Sequence, residues 1–572
     1  MAVFFGLLVV WIMVTLIDLQ ILNHETYAAR AKAQRLRRHV LPARRGEILA
    51  SDGLPVAQNI TLNLVYAIPV DIQEPQQVAH QLAEILVDDP QQLEQEVELL
   101  VPLLSTDSTY ALIRQWVDDD KAKLIRDLRI KGIVISPNEK RYYPEGSLLS
   151  HVLGYVNRDG DGQYGLEGYY NTLLKGKDGY ILREQDNSNR AMPIGENEEL
   201  PAIDGANLII TIDRSVQKIV EEELKWGMDR TKAADGSAIV MDPWTGAIIA
   251  MANYPDFDPN HYNQVFWDEE GNYQEEGYWV FNNSATSWPY EPGSVFKVVS
   301  IAAALDSGAL GINDMINDPG FFDLSSSITI RNWDQQAQGL LSLSRCLELS
   351  NNVCLAQVAL RTGSDNFYRY VEGFGFGSLT GVDLGSELRG NIQAHKRWND
   401  IQTGSASFGQ AITVTPLQMI TATAAIANGG RLVRPYVVQE ILQDAQVVQQ
   451  EPQIIKQVIS KQVSEQVADM MVNVVNRSEG VPAKVQGYQI AGKTGTGQVA
   501  KKDGAGYESQ IVTASFVGFA PADAPKFIVF IKYNLTTETH PDMRWGSQAA
   551  APVFKRIAEN LFKYYQIPPV GI

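Results

Sequence analysis

Two residues one helical turn apart provide the first sign of chemistry in this sequence. Ser294 stands three residues before Lys297, at the start of VFKVVSIAAALDSG, whose apolar spacing predicts a helix after Pro292. Positions i and i+3 share a helix face, so the lysine amine can reach the hydroxyl. A lysine whose pKa is lowered by burial and nearby positive charge can take the serine proton, and N–H groups at the helix start favour developing negative charge.

A second candidate is Ser350-Asn351-Asn352, within LSRCLELSNNVCLAQVAL, which predicts a continuous helical segment. Taken alone, these residues more often cap or interrupt a helix than catalyse a reaction. Cys346 and Cys354 lie eight residues apart in the same stretch, or about 12 Å along one helix, which is too far for a disulfide. We therefore expect two small buried hydrophobic residues.

A third candidate is Lys493-Thr494-Gly495-Thr496, on a predicted strand. A cation and two hydroxyls suit a carboxylate ligand, and small residues let another backbone approach closely. The letters from Gly487 to Thr494 also match a P-loop, but a P-loop opens a helix and GTGQVAKKDGAGYE predicts none, which disfavours a nucleotide site.

The elements that must hold these residues follow from hydrophobic periodicity. Residues 70–135 predict helices interrupted by Pro90, and 141–201 predict a loop-rich stretch. From Ala206 the pattern predicts a strand, an amphipathic helix and two more strands, then helices to about Asn428, three strands from YQIAGKTGTG onward and a closing helix. Strands at both ends with helices between them indicate one sheet covered by helices, an α+β or mixed α/β fold.

Composition excludes several classes of protein. The chain has 572 residues, and 45% of them are hydrophobic, which excludes broad disorder. Its net charge of −19 makes it a poor nucleic-acid binder, because phosphate binding needs a basic face. Two cysteines and seven scattered histidines predict neither a disulfide scaffold nor a metal site. The run Asn157 to Gly162 begins like a calcium loop, but Gly168 stands where the closing acid is required, so we predict a turn-rich linker.

The N-terminus predicts a membrane helix. Met1–Ile17 carries no charged side chain, and extended to Leu22 it spans about 30 Å. A cleaved signal peptide or a buried core helix fits less well. A basic cluster follows the segment and, by the positive-inside rule, would place the rest of the chain in the cytoplasm; a basic tail ahead of Met1 would reverse this. The cluster comprises Arg30, Lys32, Arg35, Arg37 and Arg38.

S-x-x-K, S-x-N and K-T-G in this order are the known signature of penicillin-binding proteins and serine β-lactamases. The chain resembles a class B penicillin-binding protein over nearly its whole length. Further landmarks of that family are Arg45-Gly46-Glu47-Ile48, Arg141-Tyr142-Tyr143-Pro144, Gly165-Leu166-Glu167, Phe408-Gly409-Gln410 and Thr415-Pro416. The resemblance implies an anchor at 1–22, a non-catalytic, dimerisation-like module at 23–205 and a transpeptidase domain with a central antiparallel sheet at 206–572.

The resemblance also implies an activity. A D,D-transpeptidase would cross-link peptidoglycan stem peptides outside the cytoplasmic membrane, with β-lactams as inhibitors and no cofactor or metal. Ser294 would attack the D-Ala-D-Ala carbonyl, Lys297 would be the base, and Ser350 would relay a proton to the leaving amine. The remaining roles would be substrate-amide binding by Asn352, carboxylate binding by Lys493, Thr494, Gly495 and Thr496, and an oxyanion hole from the N–H groups of Ser294 and Thr496.

Other functions on the same fold stay open. A β-lactamase would be much shorter, and a non-catalytic scaffold or sensor would not need the intact set of serines and lysines. Within the class, Tyr290 to Ser294 and the compact module favour a division or sporulation enzyme over an elongation enzyme. The expected partners are a polytopic glycan polymerase and division proteins.

Overall fold

The computed structural model describes residues 1–27, 36–184, 197–268, 272–326, 328–444, 446–477, 482–500 and 507–569. Of the predicted basic cluster, Arg30, Lys32 and Arg35 lie outside these ranges. Contacts divide the chain into two units. One comprises Met1–Gly46, Asn171–Asn207 and Leu442–Gln446, and the other comprises Glu47–Tyr170, Leu208–Ile441 and Val447–Ile572.

The helices follow in chain order. They include α1 (Ala2–Ile17), α2 (Pro75–Leu86), α3 (Leu93–Leu104), α4 (Asp119–Asp127), α5 (Ser150–Leu153), α6 (Gly165–Tyr169), α7 (Asn171–Lys175), α8 (Arg214–Thr231), α9 (Ser284–Ser287), α10 (Lys297–Asp306), α11 (Leu343–Glu348), α12 (Asn352–Thr362), α13 (Ser364–Gly373), α14 (Asp400–Ala406), α15 (Pro416–Ala427), α16 (Lys461–Arg477), α17 (Gly546–Ala549) and α18 (Ala551–Tyr564).

The strands are shorter and more numerous. They include β1 (Leu36–Leu41), β2 (Ile48–Leu49), β3 (Pro55–Ala67), β4 (Ala111–Val117), β5 (Ile133–Tyr142), β6 (Tyr155–Val156), β7 (Gly162–Gln163), β8 (Gly179–Glu184), β9 (Asn197–Leu200), β10 (Asn207–Ile210), β11 (Asp235–Met241), β12 (Ile248–Tyr254), β13 (Met315–Asp318), β14 (Phe321–Ser325), β15 (Ile328–Arg331), β16 (Gly339–Ser342), β17 (Arg431–Val433), β18 (Val438–Gln443), β19 (Gln446–Gln449), β20 (Ile454–Gln457), β21 (Ala491–Ala500), β22 (Tyr507–Ala520) and β23 (Phe527–Leu535).

A five-stranded antiparallel sheet, in the order β12-β11-β23-β22-β21, forms the centre of the second unit. Every residue of β11 is buried, because the sheet is covered on both faces. Helices α8 and α18 share one apolar core with the sheet, while α15 and α16 contact β23 and β21. The predicted α/β fold, with a central antiparallel sheet flanked by helices, is confirmed.

Helix α15 shows how local sequence fixes an element beside the sheet. A capping box between Thr415 and Gln418 starts the helix, with Pro416 at its first position. All twelve residues are buried, which is typical of a helix inside a large core.

The second unit also contains most of the residues predicted as a non-catalytic module. Strand β3 pairs with β4 and β5, and α2, α3 and α4 share an apolar core with these strands. Arg141 of β5 forms an ion pair of 2.6 Å with Glu167 of α6, and both side chains are buried. Two sequence landmarks that lie 26 residues apart therefore meet in space.

The helical prediction over 70–135 is wrong for one segment. Residues 111–117 form strand β4, although YALIRQWV was assigned to a helix. The segment alternates between buried and less buried side chains only at its start, and its pairing with β3 overrides the helical propensity of Ala, Leu and Gln. The antiparallel strand pairs β13–β16 and β14–β15, inside the predicted helical region, were also missed.

The prediction for the cysteines is wrong as well. Cys346 and Cys354 form a disulfide, with their Cα atoms 6.0 Å apart. The expected distance assumed one continuous helix, whereas the chain forms α11 and α12 with a break between them. Ser350 in the break has φ +52°, a left-handed conformation that turns the chain back on itself.

Candidate active site

Ser294 lies in a 3-10 turn, Gly293–Phe296, that leads directly into α10. Gly293 has φ +57° and its N–H donates to the carbonyl of Gly409 at 3.1 Å. A Cβ on Gly409 would lie 2.3 Å from the carbonyl oxygen of Gly293, so only glycine permits this close approach. The contact explains why Phe408-Gly409-Gln410 accompanies the serine turn.

The serine borders a cleft of about 550 Å³. Five of the eight predicted site residues line it, namely Ser294, Ser350, Asn352, Thr494 and Thr496. Lys297 and Lys493 are buried and contact its lining residues, while Gly495 stands between the two threonines on β21. The three sequence motifs therefore converge at one place.

Lys297 makes hydrogen bonds that the sequence did not predict. Its Nζ donates to the Ser350 carbonyl at 2.6 Å, to Ser350 Oγ at 3.2 Å and to Asn352 Oδ1 at 2.7 Å. These contacts join the first motif to the second instead of joining the amine to Ser294. Catalytic hydrogen bonds often tighten only when substrate is bound, so this geometry is compatible with a base that exchanges partners.

Ser350 is the point where both amines meet. Lys493 Nζ donates to Ser350 Oγ at 3.1 Å, to the Thr494 carbonyl at 3.1 Å and to Thr494 Oγ1 at 3.4 Å. One hydroxyl thus receives hydrogen bonds from Lys297 and Lys493. A proton can move between these groups without large motion of the chain.

Burial changes the pKa values of both amines. The pKa of Lys297 is held well below 10.5, first by burial and second by the positive charge of Lys493. Burial alone lowers the pKa of Lys493 to about 7. A lysine must be neutral to accept a proton, so the surroundings favour the form that a base requires.

A buried polar network that the sequence analysis missed holds the Ser350–Asn352 break. Asn332 Oδ1 accepts the N–H groups of Asn352 and Val353 at 3.0 and 3.2 Å. Asp318 accepts from the amides of Asn332 and Asn351 at 2.7 and 2.5 Å. Asp318 is the last residue of β13 and Asn332 directly follows β15, so both belong to the strand pairs that were not predicted. No sequence motif marks either residue.

Several lining residues also lacked a sequence signal. Trp333 and Trp545 come from separate elements, and their ring centroids lie 5.8 Å apart at the cleft. Beside Trp545, the N–H of Gly546 donates to Thr496 Oγ1 at 3.1 Å and so orients one predicted substrate ligand. Exposed aromatic residues far apart in sequence cannot be assigned to one site without the fold.

The chain matches two family models. The penicillin binding protein transpeptidase domain matches residues 236–559, and the penicillin-binding protein dimerisation domain matches residues 40–210. Together they account for the sheet, the cleft and the module described above.

Named relatives and solved structures agree with these matches. The chain is 32% identical to stage V sporulation protein D of Bacillus subtilis, over 99% of this chain and 85% of that protein. It is 28% identical to peptidoglycan D,D-transpeptidase FtsI of Buchnera aphidicola, over 97% and 92%. A peptidoglycan synthetase structure from Bifidobacterium adolescentis superposes with a TM-score of 0.73 at 25% identity, covering 94% of this chain and 98% of that one.

Proposed function

We propose that this chain, which belongs to the class B penicillin-binding proteins and is a serine-type peptidoglycan D,D-transpeptidase, uses Ser294 as its nucleophile. The observation that carries the proposal is the convergence of Lys297 and Lys493 on Ser350 Oγ, in the cleft that Ser294 borders. A neutral amine at Lys297 takes the serine proton. Ser294 Oγ then attacks the penultimate D-Ala carbonyl.

The tetrahedral intermediate collapses when the terminal D-Ala leaves. Ser350 passes a proton to the departing amine, because its hydroxyl contacts both lysines. Asn352 holds the substrate amide, and Lys493, Thr494 and Thr496 bind the terminal carboxylate. The N–H groups of Ser294 and Thr496 stabilise the oxyanion. An amine on a neighbouring stem peptide then attacks the acyl-enzyme and releases Ser294, which regains its proton.

Intact mass measurement after incubation with benzylpenicillin tests the nucleophile. Attack on the lactam opens the ring without a leaving group, so the protein gains the whole mass of the drug. We expect this adduct on the wild type and on Ser307→Ala, a control at the partly buried C-cap of α10, the helix that follows the Ser294 turn. Its persistence on Ser294→Ala would overturn the assignment.

The N-terminal helix is proposed as a single membrane anchor. Val3–Leu22 is long and apolar enough to cross a bilayer, and none of this span is buried against the rest of the described chain. The disulfide between Cys346 and Cys354 favours an extracytoplasmic catalytic domain, because disulfides persist in oxidising compartments. Protease added to intact spheroplasts should remove a C-terminal tag while a cytoplasmic marker survives; a protected tag would reverse the orientation.

A septal or sporulation role is proposed within the class. The names of the relatives support it, since one is a stage V sporulation protein and another is FtsI. A polytopic glycan polymerase and division proteins are the proposed partners. Depletion should block septum formation, and a fluorescent fusion should collect at septa. Rounding of rod-shaped cells with septa intact would instead assign an elongation role.

Two other activities of this fold give different kinetics. A β-lactamase would release the penicilloyl group within seconds, whereas a transpeptidase keeps it for minutes or longer. A non-catalytic scaffold would support growth as the Ser294→Ala variant. We expect slow deacylation and failed complementation.

A further inference from the structure

A second cleft lies in the same unit as the active site and shares no lining residue with it. Its volume is about 310 Å³, near the lower end of the roughly 300–1,000 Å³ range of ligand pockets. Four chain segments surround it: β4 at Trp116, the end of β5, the turn after β6, and a 3-10 helix that begins at Pro259. We call it the module cleft.

The backbone of Trp116 adopts an unusual conformation at this cleft. Trp116 has φ +59°, and the β3–β4 register slips around it, with Asn63 opposite Val117 and Val65 opposite Arg114. Such a bulge redirects one side chain, and a bulky residue with positive φ is strained. The chain therefore accepts backbone strain in order to present a half-exposed indole ring to the cleft.

The wall and floor of the module cleft are held firmly. Tyr262 stacks on Tyr155 with ring centroids 4.2 Å apart and an interplanar angle of 12°. Asn260 accepts the N–H of Tyr143 at 3.0 Å and donates to its carbonyl at 2.9 Å. Beneath them lies the buried Arg141 to Glu167 ion pair. A rigid floor with aromatic faces suits a ligand that stacks.

The charge at the module cleft is unusual for a chain of net charge −19. Lys140 Nζ lies 5.3 Å from the centroid of the Trp116 ring, and Arg158 is exposed at the rim. Among the other ionisable residues lining the cleft in the described ranges, Arg141 pairs with Glu167, His261 hydrogen-bonds with Asp258, and Glu139 is the one acid. Lys140 and Arg158 thus outnumber Glu139 and favour an anion.

We infer that the module cleft binds peptidoglycan glycan strands from which the stem peptide has been removed, so that the lactyl carboxylate of the N-acetylated amino sugar is free. The C–H groups on one face of a pyranose ring pack against the Trp116 ring, because an aromatic side chain provides a large apolar surface. Asn157 and Asn263 line the cleft as amide partners for hydroxyl and acetamido groups, and Lys140 and Arg158 meet the carboxylate. This inference goes beyond the proposed cross-linking reaction, whose substrate is the peptide.

Binding to defined oligosaccharides tests the inference on the full chain in detergent micelles. Ser294 is first acylated with benzylpenicillin, so that the active-site cleft is occupied. A tetrasaccharide of alternating N-acetylglucosamine and N-acetylmuramic acid is then titrated by isothermal titration calorimetry, which does not depend on any tryptophan as reporter. We expect saturable binding, weaker binding of uncharged chitotetraose, and still weaker binding of a stem peptide without sugar.

Variants assign the site. Trp116→Ala should weaken tetrasaccharide binding at least tenfold, as loss of a central aromatic contact does. Lys140→Ala/Arg158→Ala should weaken it about fivefold and remove its preference over chitotetraose. The control is Arg126→Ala/Lys131→Ala, which removes the same charge from exposed positions of the same module. If Trp116→Ala fails to fold, Trp116→Phe and the double charge variant decide.

Three outcomes would overturn the inference: no binding to acylated protein, equal binding by the charge variant and its control, or equal binding of the sugar-free peptide. Failure of the proposed function is visible separately. Absence of the penicilloyl adduct would refute the role of Ser294 and leave the titration interpretable.

Discussion

Buried basic side chains have different partners in the module and in the active-site cleft. In the module, Arg141 meets the carboxylate of Glu167 at 2.6 Å. In the cleft, the amines of Lys297 and Lys493 meet carbonyl, hydroxyl and amide oxygens, all of them neutral. A carboxylate would stabilise the charged amine, whereas neutral oxygens leave the burial penalty uncorrected.

The difference separates basic side chains that stabilise the fold from the lysines to which we assign a role in the reaction. Lys532, on strand β23 of the central sheet, pairs with the carboxylate of Asp235 at 3.4 Å. Like Arg141, it is therefore a buried basic residue with a countercharge. A buried lysine without a countercharge is destabilising for the fold, but its lowered pKa favours the neutral amine that a base requires. The predictions below test that division.

Loss of Lys297, the proposed base, gives the largest expected effect. Lys297→Met should slow acylation by penicillin about 10³-fold, within the usual range for a general base. Lys461→Met, at an exposed position on α16, should leave the rate unchanged. Stopped-flow measurement with a fluorescent penicillin gives both rates. An acylation rate of the Lys297 variant within tenfold of the wild-type rate would show that another residue is the base.

The module ion pair should be sensitive to removal of one partner. Glu167→Gln leaves the Arg141 charge buried and should lower the free energy of unfolding by about 3–5 kcal/mol. The control is Glu145→Gln, whose partner Arg214 is partly exposed, and it should cost less than about 1 kcal/mol. Urea denaturation measures both, and equal losses would contradict the comparison.

Removal of the Lys493 amine should stabilise the fold, whereas removal of the Glu167 carboxylate should destabilise it. The pKa of Lys493 is about 7 in the fold and 10.5 as its ordinary value, so the unfolded chain binds more protons between these pH values. Stability therefore rises with pH across that window. Lys493→Met should raise the free energy of unfolding by about 2 kcal/mol at neutral pH and flatten this dependence, while acylation falls. Destabilisation at neutral pH would show that its contacts outweigh its burial.

The smallest expected effect concerns the acid limb of the acylation rate. The rate should fall as pH drops through the pKa of Lys297, because the protonated amine cannot accept a proton. Lys493→Met removes the neighbouring charge that lowers this pKa, so the acid limb should move to higher pH. A limb that stays in place would mean that Lys493 does not influence the base.

Sequence reasoning reached the fold and the family because those signals are local. The spacing of Ser294 and Lys297, the strand at Lys493 and the apolar runs of the sheet are read within a dozen residues. The break at Ser350 was not predicted, because the residues from Cys346 to Cys354 have the pattern of one continuous helix. The network of Asp318 and Asn332 was not predicted either, since only tertiary pairing brings those side chains to Asn352.

The backbone of Ser350 carries a consequence for protein engineering. Glycine would occupy its left-handed φ of +52° without the roughly 1–2 kcal/mol that an L side chain costs there. A library of variants selected only for thermal stability should therefore be enriched in Ser350→Gly. Every such clone would lack Ser350 Oγ, to which Lys297 and Lys493 both donate. We therefore expect these clones to be more stable but catalytically weaker.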